Sequence, residues 1–179
     1  MRHLLKNRKG LSTVVTTLII LVISVLLATV VTYYAMNMVG TRVIQEDGRI
    51  TQLHIWVNCT DGSCLNASAV IVFKNTGGRD ILIDKLTMRY QDIPWASMHY
   101  KITNGSVTSE LGYVCNQTAD LTGYVVPDDS ICLETGQSIT VYIEDPGTID
   151  CLDIGTPVPA GLHTSNAIYY KEANVEANS

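Results

Sequence analysis

The chain has 179 residues, of which 46% are apolar and 16% charged, with a formal net charge of −5. That length is too short for two ordinary enzyme domains of roughly 100–200 residues each, and the apolar fraction excludes a disordered chain. The acidic balance argues against nucleic acid as the main partner, because phosphate binding needs a basic face.

The averages conceal three different regions. Residues 1–10 carry Arg2, Lys6, Arg8 and Lys9 and no acid. Residues 11–41 carry no charged side chain. Residues 42–179 hold eight basic side chains and all seventeen acidic ones, a net of 8 − 17 = −9.

Residues 11–41 would span about 46 Å as a helix at ~1.5 Å per residue, more than the ~20 residues a bilayer core requires. The run has no Pro and no Gly before Gly40. Its Val, Ile and Thr content would favour a strand in a short segment. At this length an isolated spanning segment satisfies its backbone in lipid only as a helix. Thr16, Thr17, Thr29 and Thr32 permit close helix approach and can bond back to their own helix. The basic residues before the run place the N-terminus in the cytoplasm and the body outside. A secretory signal has an apolar core of about 7–15 residues and a small-residue cleavage site. No A-x-A pattern closes this run, so it is expected to stay with the mature protein.

The junction Lys9-Gly10-Leu11-Ser12 resembles the class III signal peptide of type IV pilins. The continuation LSTVVTTLIILVISVLLATVVTYYAMN is most similar to archaeal pilins and archaellins. The resemblance implies cleavage by a prepilin peptidase between Gly10 and Leu11, with residues 1–10 as the leader. It implies a structural subunit of an archaeal type IV pilus-like surface filament, serving adhesion or surface attachment. Its partners would be the membrane, the peptidase, copies of itself, other pilins and cell-surface glycans. Val15 departs from the glutamate that bacterial type IV pilins place there, which counts against a bacterial major pilin. Two other readings stay open. One is an uncleaved, membrane-anchored extracellular domain that binds a ligand, such as an adhesin, an S-layer-associated protein or a solute receptor. The other is a minor pilin or pseudopilin.

Beyond the apolar run, Val43, Ile50 and Val57 recur every seventh residue, with Ile44 and Leu53 beside them. That spacing predicts an amphipathic helix, so one rod is expected over 11–57, with a kink or break at Gly48. His54 and Trp56 read as packing residues.

Residues 58–179 read as short strands between turn signals: 68–74, 80–90, 98–103, 110–115, 123–126, 137–145 and 165–172. In 80–90, Ile81, Ile83 and Lys85 alternate with Leu82, Asp84 and Leu86. The spacing predicts an antiparallel β-sandwich, so the chain is α+β, a long helix followed by a β head. The pattern VIVFKNTGG at 70–78 resembles the outer β domains of archaeal pilins and archaellins.

Cys59, Cys64, Cys115, Cys132 and Cys151 all fall in this head, which fits an oxidising exterior. Cys59 and Cys64 enclose a turn-like loop and suggest a local bridge. One thiol must remain over, and connectivity is open. Asn58, Asn66, Asn104 and Asn116 each begin an Asn-x-Ser/Thr acceptor for glycan. His99 and His163 are far apart, and no G-x-S-x-G, H-E-x-x-H or phosphate loop occurs. Acids cluster at Asp128, Asp129 and Glu134 and at Glu144, Asp145, Asp150 and Asp153. These read as solvated loops rather than calcium ligands. No catalytic residue, metal ligand or cofactor is expected, and the chain is read as a non-enzyme.

Overall fold

The structure is a computed structural model that describes residues 4–60, 63–107, 111–112 and 121–178, with side chains at all of these but 4–11, 41–44, 60 and 63–65. It contains two compact units, Met1–Val43 and Ile44–Ser179.

The first unit is a single helix, α1, Leu4–Ile44. Its apolar stretch, Ser12–Gly40, is 29 residues long with a mean hydropathy of 2.9, and none of it is buried. Large apolar side chains cover every face of it, from Val14 to Val39. The β-branched residues stay helical because nothing offers their backbone a strand partner, and the helix alone closes its own hydrogen bonds.

The second unit contains β1 (Gly48–Thr60), β2 (Ser63–Asn75), β3 (Ile81–Met88), β4 (Gln91–Asp92), β5 (Met98–Asn104), β6 (Ile131–Leu133), β7 (Gln137–Glu144), β8 (Pro157–Thr164) and β9 (Ile168–Asn178). They form one continuous sheet in the order β4-β3-β8-β9-β1-β2-β7-β5, with β6 on β3. β9 joins its halves: residues 168–174 run antiparallel to β8, and Val175 to Asn178 run parallel to β1. The sheet is therefore mixed, where an antiparallel one was expected. It curls around one core in which Ile71, Phe73 and Ile139 from one half meet Ile83, Leu86 and Leu162 from the other. A smaller cluster of Trp56, Val70, Leu121 and Tyr142 lies apart from it.

The rod expected over 11–57 ends at Ile44, and residues 48–60 are strand β1. The apolar spacing imitated a helix because the strand's register shifts between Ile50 and Gln52. An extra residue in a strand reverses which face follows. Ile50 and, beyond the shift, Leu53, Ile55 and Val57 thus all enter one core. With β2 on one edge and β9 on the other, sheet pairing outweighs helix propensity. Gly48 is required by packing rather than by a kink, since a Cβ there would lie 2.2 Å from Phe73 Cζ.

The same device recurs in β3. Simple alternation puts Leu86 on the face of Leu82, but a shift between Ile83 and Lys85 turns Leu86 into the core. The segment expected as a strand at 123–126 contributes a single bridge, Tyr100 to Val125. The strand expected at 110–115 falls mostly outside the described residues.

Candidate functional site

The apolar surface of α1 is the most extended feature with a chemical consequence. Its hydroxyls turn inward. Thr16 donates to Ser12 O at 2.8 Å, Thr17 to Val14 O at 2.9 Å and Ser24 to Ile20 O at 2.7 Å. Thr29 donates to Val25 O at 2.8 Å and Thr32 to Ala28 O at 2.7 Å. An exposed hydroxyl with no partner would be costly in hydrocarbon; bonded back, these five present mainly methyl and methylene surface. Tyr33 and Tyr34 pack edge to face, 5.9 Å between centroids, near the end of the stretch. Amphipathic rings there suit the level of lipid headgroups. The helix backbone continues through Lys9, Gly10 and Leu11; their side chains lie outside the described set.

The head is fastened to the segment that leads into it. Within Ile44–Ser179, Thr164 Oγ1 donates to Glu46 Oε1, and Asn166 Nδ2 donates to Glu46 Oε2 at 2.7 Å. Thr76 N–H and Gly77 N–H donate to Asp47 O at 2.9 and 2.7 Å. Residues 45–47 are thus part of the head. Burial, followed by the nearby Glu46 and Asp47 charges, pushes the Tyr169 hydroxyl pKa up.

Cys59 bonds Cys151, closing a separation of 92 residues. The local bridge to Cys64 is therefore excluded, although Cys59 and Cys64 are register partners in the β1–β2 hairpin. Cys59 and Cys151, distant in the chain, both pack against the main core, which brings them together. Cys132 is free and exposed. The Cys64 side chain and all of Cys115 lie outside the described residues.

The acidic loop at 144–153 is occupied by a structural contact. Arg89 and Tyr90, with φ of 49° and 65°, make the two-residue turn between β3 and β4. Such turns need left-handed residues, and Asn-Gly suits them best. Here Arg89 is held from beyond the turn, donating to Thr148 O at 2.7 Å and pairing with Asp153 Oδ1. That guanidinium, with the Asp150 N–H next, holds the Asp153 carboxyl below its ordinary pKa. Among the described residues, no group of three or more His, Cys, Asp or Glu could hold a metal. His99 and His163 lie on separate strands, β5 and β8. His54 stacks on the buried Trp56 with centroids 5.5 Å apart.

The sequons differ in setting. Asn66 and Asn104 are exposed and Asn58 is half-buried; Asn116 lies outside the described residues. An open groove is lined by Tyr90, Pro159, Tyr170, Lys171 and Glu172. Nothing in the sequence pointed to it, because its tyrosines come from a turn and a strand that are distant in the chain.

The chain is thus an apolar N-terminal helix, a candidate membrane anchor or signal sequence, followed by a disulfide-linked β domain. No family model and no curated protein matches it. Among solved structures it is similar to the apo PmoF2 PCuAC domain, at 14% identity and a TM-score of 0.40, over 74% of this chain and 95% of that one. A likeness this distant says nothing of what this chain does.

Proposed function

We propose that the chain is a structural subunit of an archaeal type IV pilus-like surface filament, assembled through α1 after removal of residues 1–10 between Gly10 and Leu11. The observation that carries this reading is the surface of α1: uncharged over Ser12–Gly40 and apolar on all faces, with Thr16, Thr17, Ser24, Thr29 and Thr32 bonded inward. A helix that only spans lipid can be apolar. One that must also leave lipid and pack among copies of itself gains from small side chains that let backbones approach. Removing the basic residues 1–10 frees such a helix to move out of the bilayer. The curled sheet then serves as the sandwich-like outer layer, stapled by Cys59–Cys151 against an oxidising exterior.

A second reading is an uncleaved anchor whose head binds a ligand. The open groove lined by Tyr90, Pro159, Tyr170, Lys171 and Glu172 favours it, since it sets aromatic surface beside two charged groups that could orient a ligand.

The N-terminus and intact mass of the native protein in a sheared cell-surface fraction decide between them. A chain beginning at Leu11 supports the filament subunit. A chain retaining Met1 and confined to membranes refutes it and leaves the anchored domain.

A further inference from the structure

The sequence presents four acceptor motifs as equals, and the structure separates the three that lie among the described residues. We propose that, among the three described motifs, Asn104 is the N-glycan acceptor on the folded head, and that folding closes Asn58 and Asn66. This rests on the reading that the head lies outside the cytoplasm. The acceptor works as a unit, in which the asparagine amide reacts and the Ser or Thr two residues on is the recognition group. Both must reach a transferase at once, on a segment free to bend.

Asn58 fails this test twice. It sits inside β1 with Asn66 as register partner on one side and Asn178 on the other. The middle residue of its motif, Cys59, is bonded to Cys151. Asn66 is exposed, but its recognition hydroxyl is not. Ser68 is 1% exposed, its Oγ is buried without a hydrogen-bond partner, and it lies in register with Trp56 and Glu144. Asn58 and Asn66 are also opposite each other, so a glycan on one would crowd the other.

Asn104 and its hydroxyl partner are both accessible, with one backbone tie between them, Gly105 O accepting from Ser138 Oγ. It is the last residue of β5, and Gly105, at φ 96°, turns the chain out of the ladder. Ser106 is exposed, and its hydroxyl accepts a bond from Lys74 Nζ at 2.9 Å. Asn104 Oδ1 accepts from Gln137 Nε2 at 3.2 Å. Both bonds are exposed, and water can replace them. Among the described residues no hydrogen bond holds Asn104 Nδ2, the atom that reacts. The donor is a lipid-phosphate-linked glycan. The nitrogen bonds to the anomeric carbon, the carbon–oxygen bond breaks with its electron pair passing to the lipid phosphate, and one amide proton leaves to a base on the transferase.

The test is peptide mass mapping of the native full-length protein from the cell envelope, digested without reduction. Access to an interior ladder site requires local opening, so occupancy at Asn104, at the end of its ladder, should clearly exceed that at Asn58 and Asn66. Equal occupancy at either ladder site overturns the proposal. A bare Asn104 in a chain whose Cys59–Cys151 bond is intact overturns it as well. Bare sites with both cysteines reduced instead overturn the exterior location on which it rests. In a Cys151→Ser variant, occupancy at Asn58 and Asn66 should rise in step with the unfolded fraction; unchanged occupancy in a head that has lost its fold refutes gating by folding.

Discussion

Replacing Gly48 by Ala separates a helical neck from a strand by the sign of the effect. In a helix interior the change would stabilise by about 1 kcal/mol. In the structure the new Cβ meets the Phe73 ring at 2.2, 2.9 and 3.0 Å. Carbon atoms prefer about 3.5–4.0 Å, so Gly48 or the ring must retreat by roughly 1.5 Å. Phe73 has nowhere to go: it is 0% exposed and packs on Tyr169 with centroids 5.0 Å apart. Overpacking of a filled core costs about 1–3 kcal/mol, and a contact this close belongs near the top of that range. At about 3–5 °C per kcal/mol for a domain of this size, the melting temperature should fall by roughly 9–15 °C. The assay is thermal unfolding of the full chain in detergent, followed by the fluorescence of the buried Trp56. Adding Phe73→Leu to Gly48→Ala should return part of the loss, because the clashing ring carbons are gone. A variant as stable as the parent, or more stable, would refute the packing argument.

Three further outcomes follow from particular contacts. Cys151→Ser releases a loop of 92 residues and should lower stability by about 2–5 kcal/mol, read from urea unfolding with and without reductant; an unchanged midpoint contradicts the bridge. The lowered Asp153 pKa means that its ionised form is favoured in the folded state. Its contribution is present above the ordinary carboxylate value of 3.8 and is lost as pH falls through the lower folded value. Asp153→Asn should therefore flatten the acid limb of a stability-against-pH curve, and an identical limb in both proteins would count against the Arg89 pair. Val22→Asp puts a charge in the middle of the apolar stretch at about 2.5–3.5 kcal/mol in a bilayer. It should abolish surface filaments seen by electron microscopy, and normal filaments from that variant would refute assembly through α1.

Composition by itself determined the first unit. A run with no charge from 11 to 41 leaves one backbone solution in an apolar surrounding, and the inward bonding of Thr16, Thr17, Thr29 and Thr32 follows from helix geometry alone. The strands at 68–74, 98–103 and 137–145 were also readable, because apolar and β-branched content there is high and turn residues bound them. Other elements depended on partners distant in the chain. β1 imitated a helix because a one-residue register shift at Thr51 moved its apolar phase. β8 was hidden by Pro157 and Pro159, which a strand tolerates only where a missing N–H is not needed. At these positions β8 pairs with β9, and its pairing with β3 begins only at Ala160.

The cysteines and the acceptor motifs show the same division. Residue types and spacing placed five cysteines and four motifs in the head, and proximity in sequence suggested Cys59 with Cys64. The fold instead closed Cys59 onto Cys151, because curling brings a hairpin end and a distant loop against one core. It also buried Ser68 while leaving Ser106 exposed. Local pattern decides what a segment can form by itself. Pairing, phase and access are set by the neighbours that compete for each hydrogen bond and each face, and those neighbours exist only once the chain has folded.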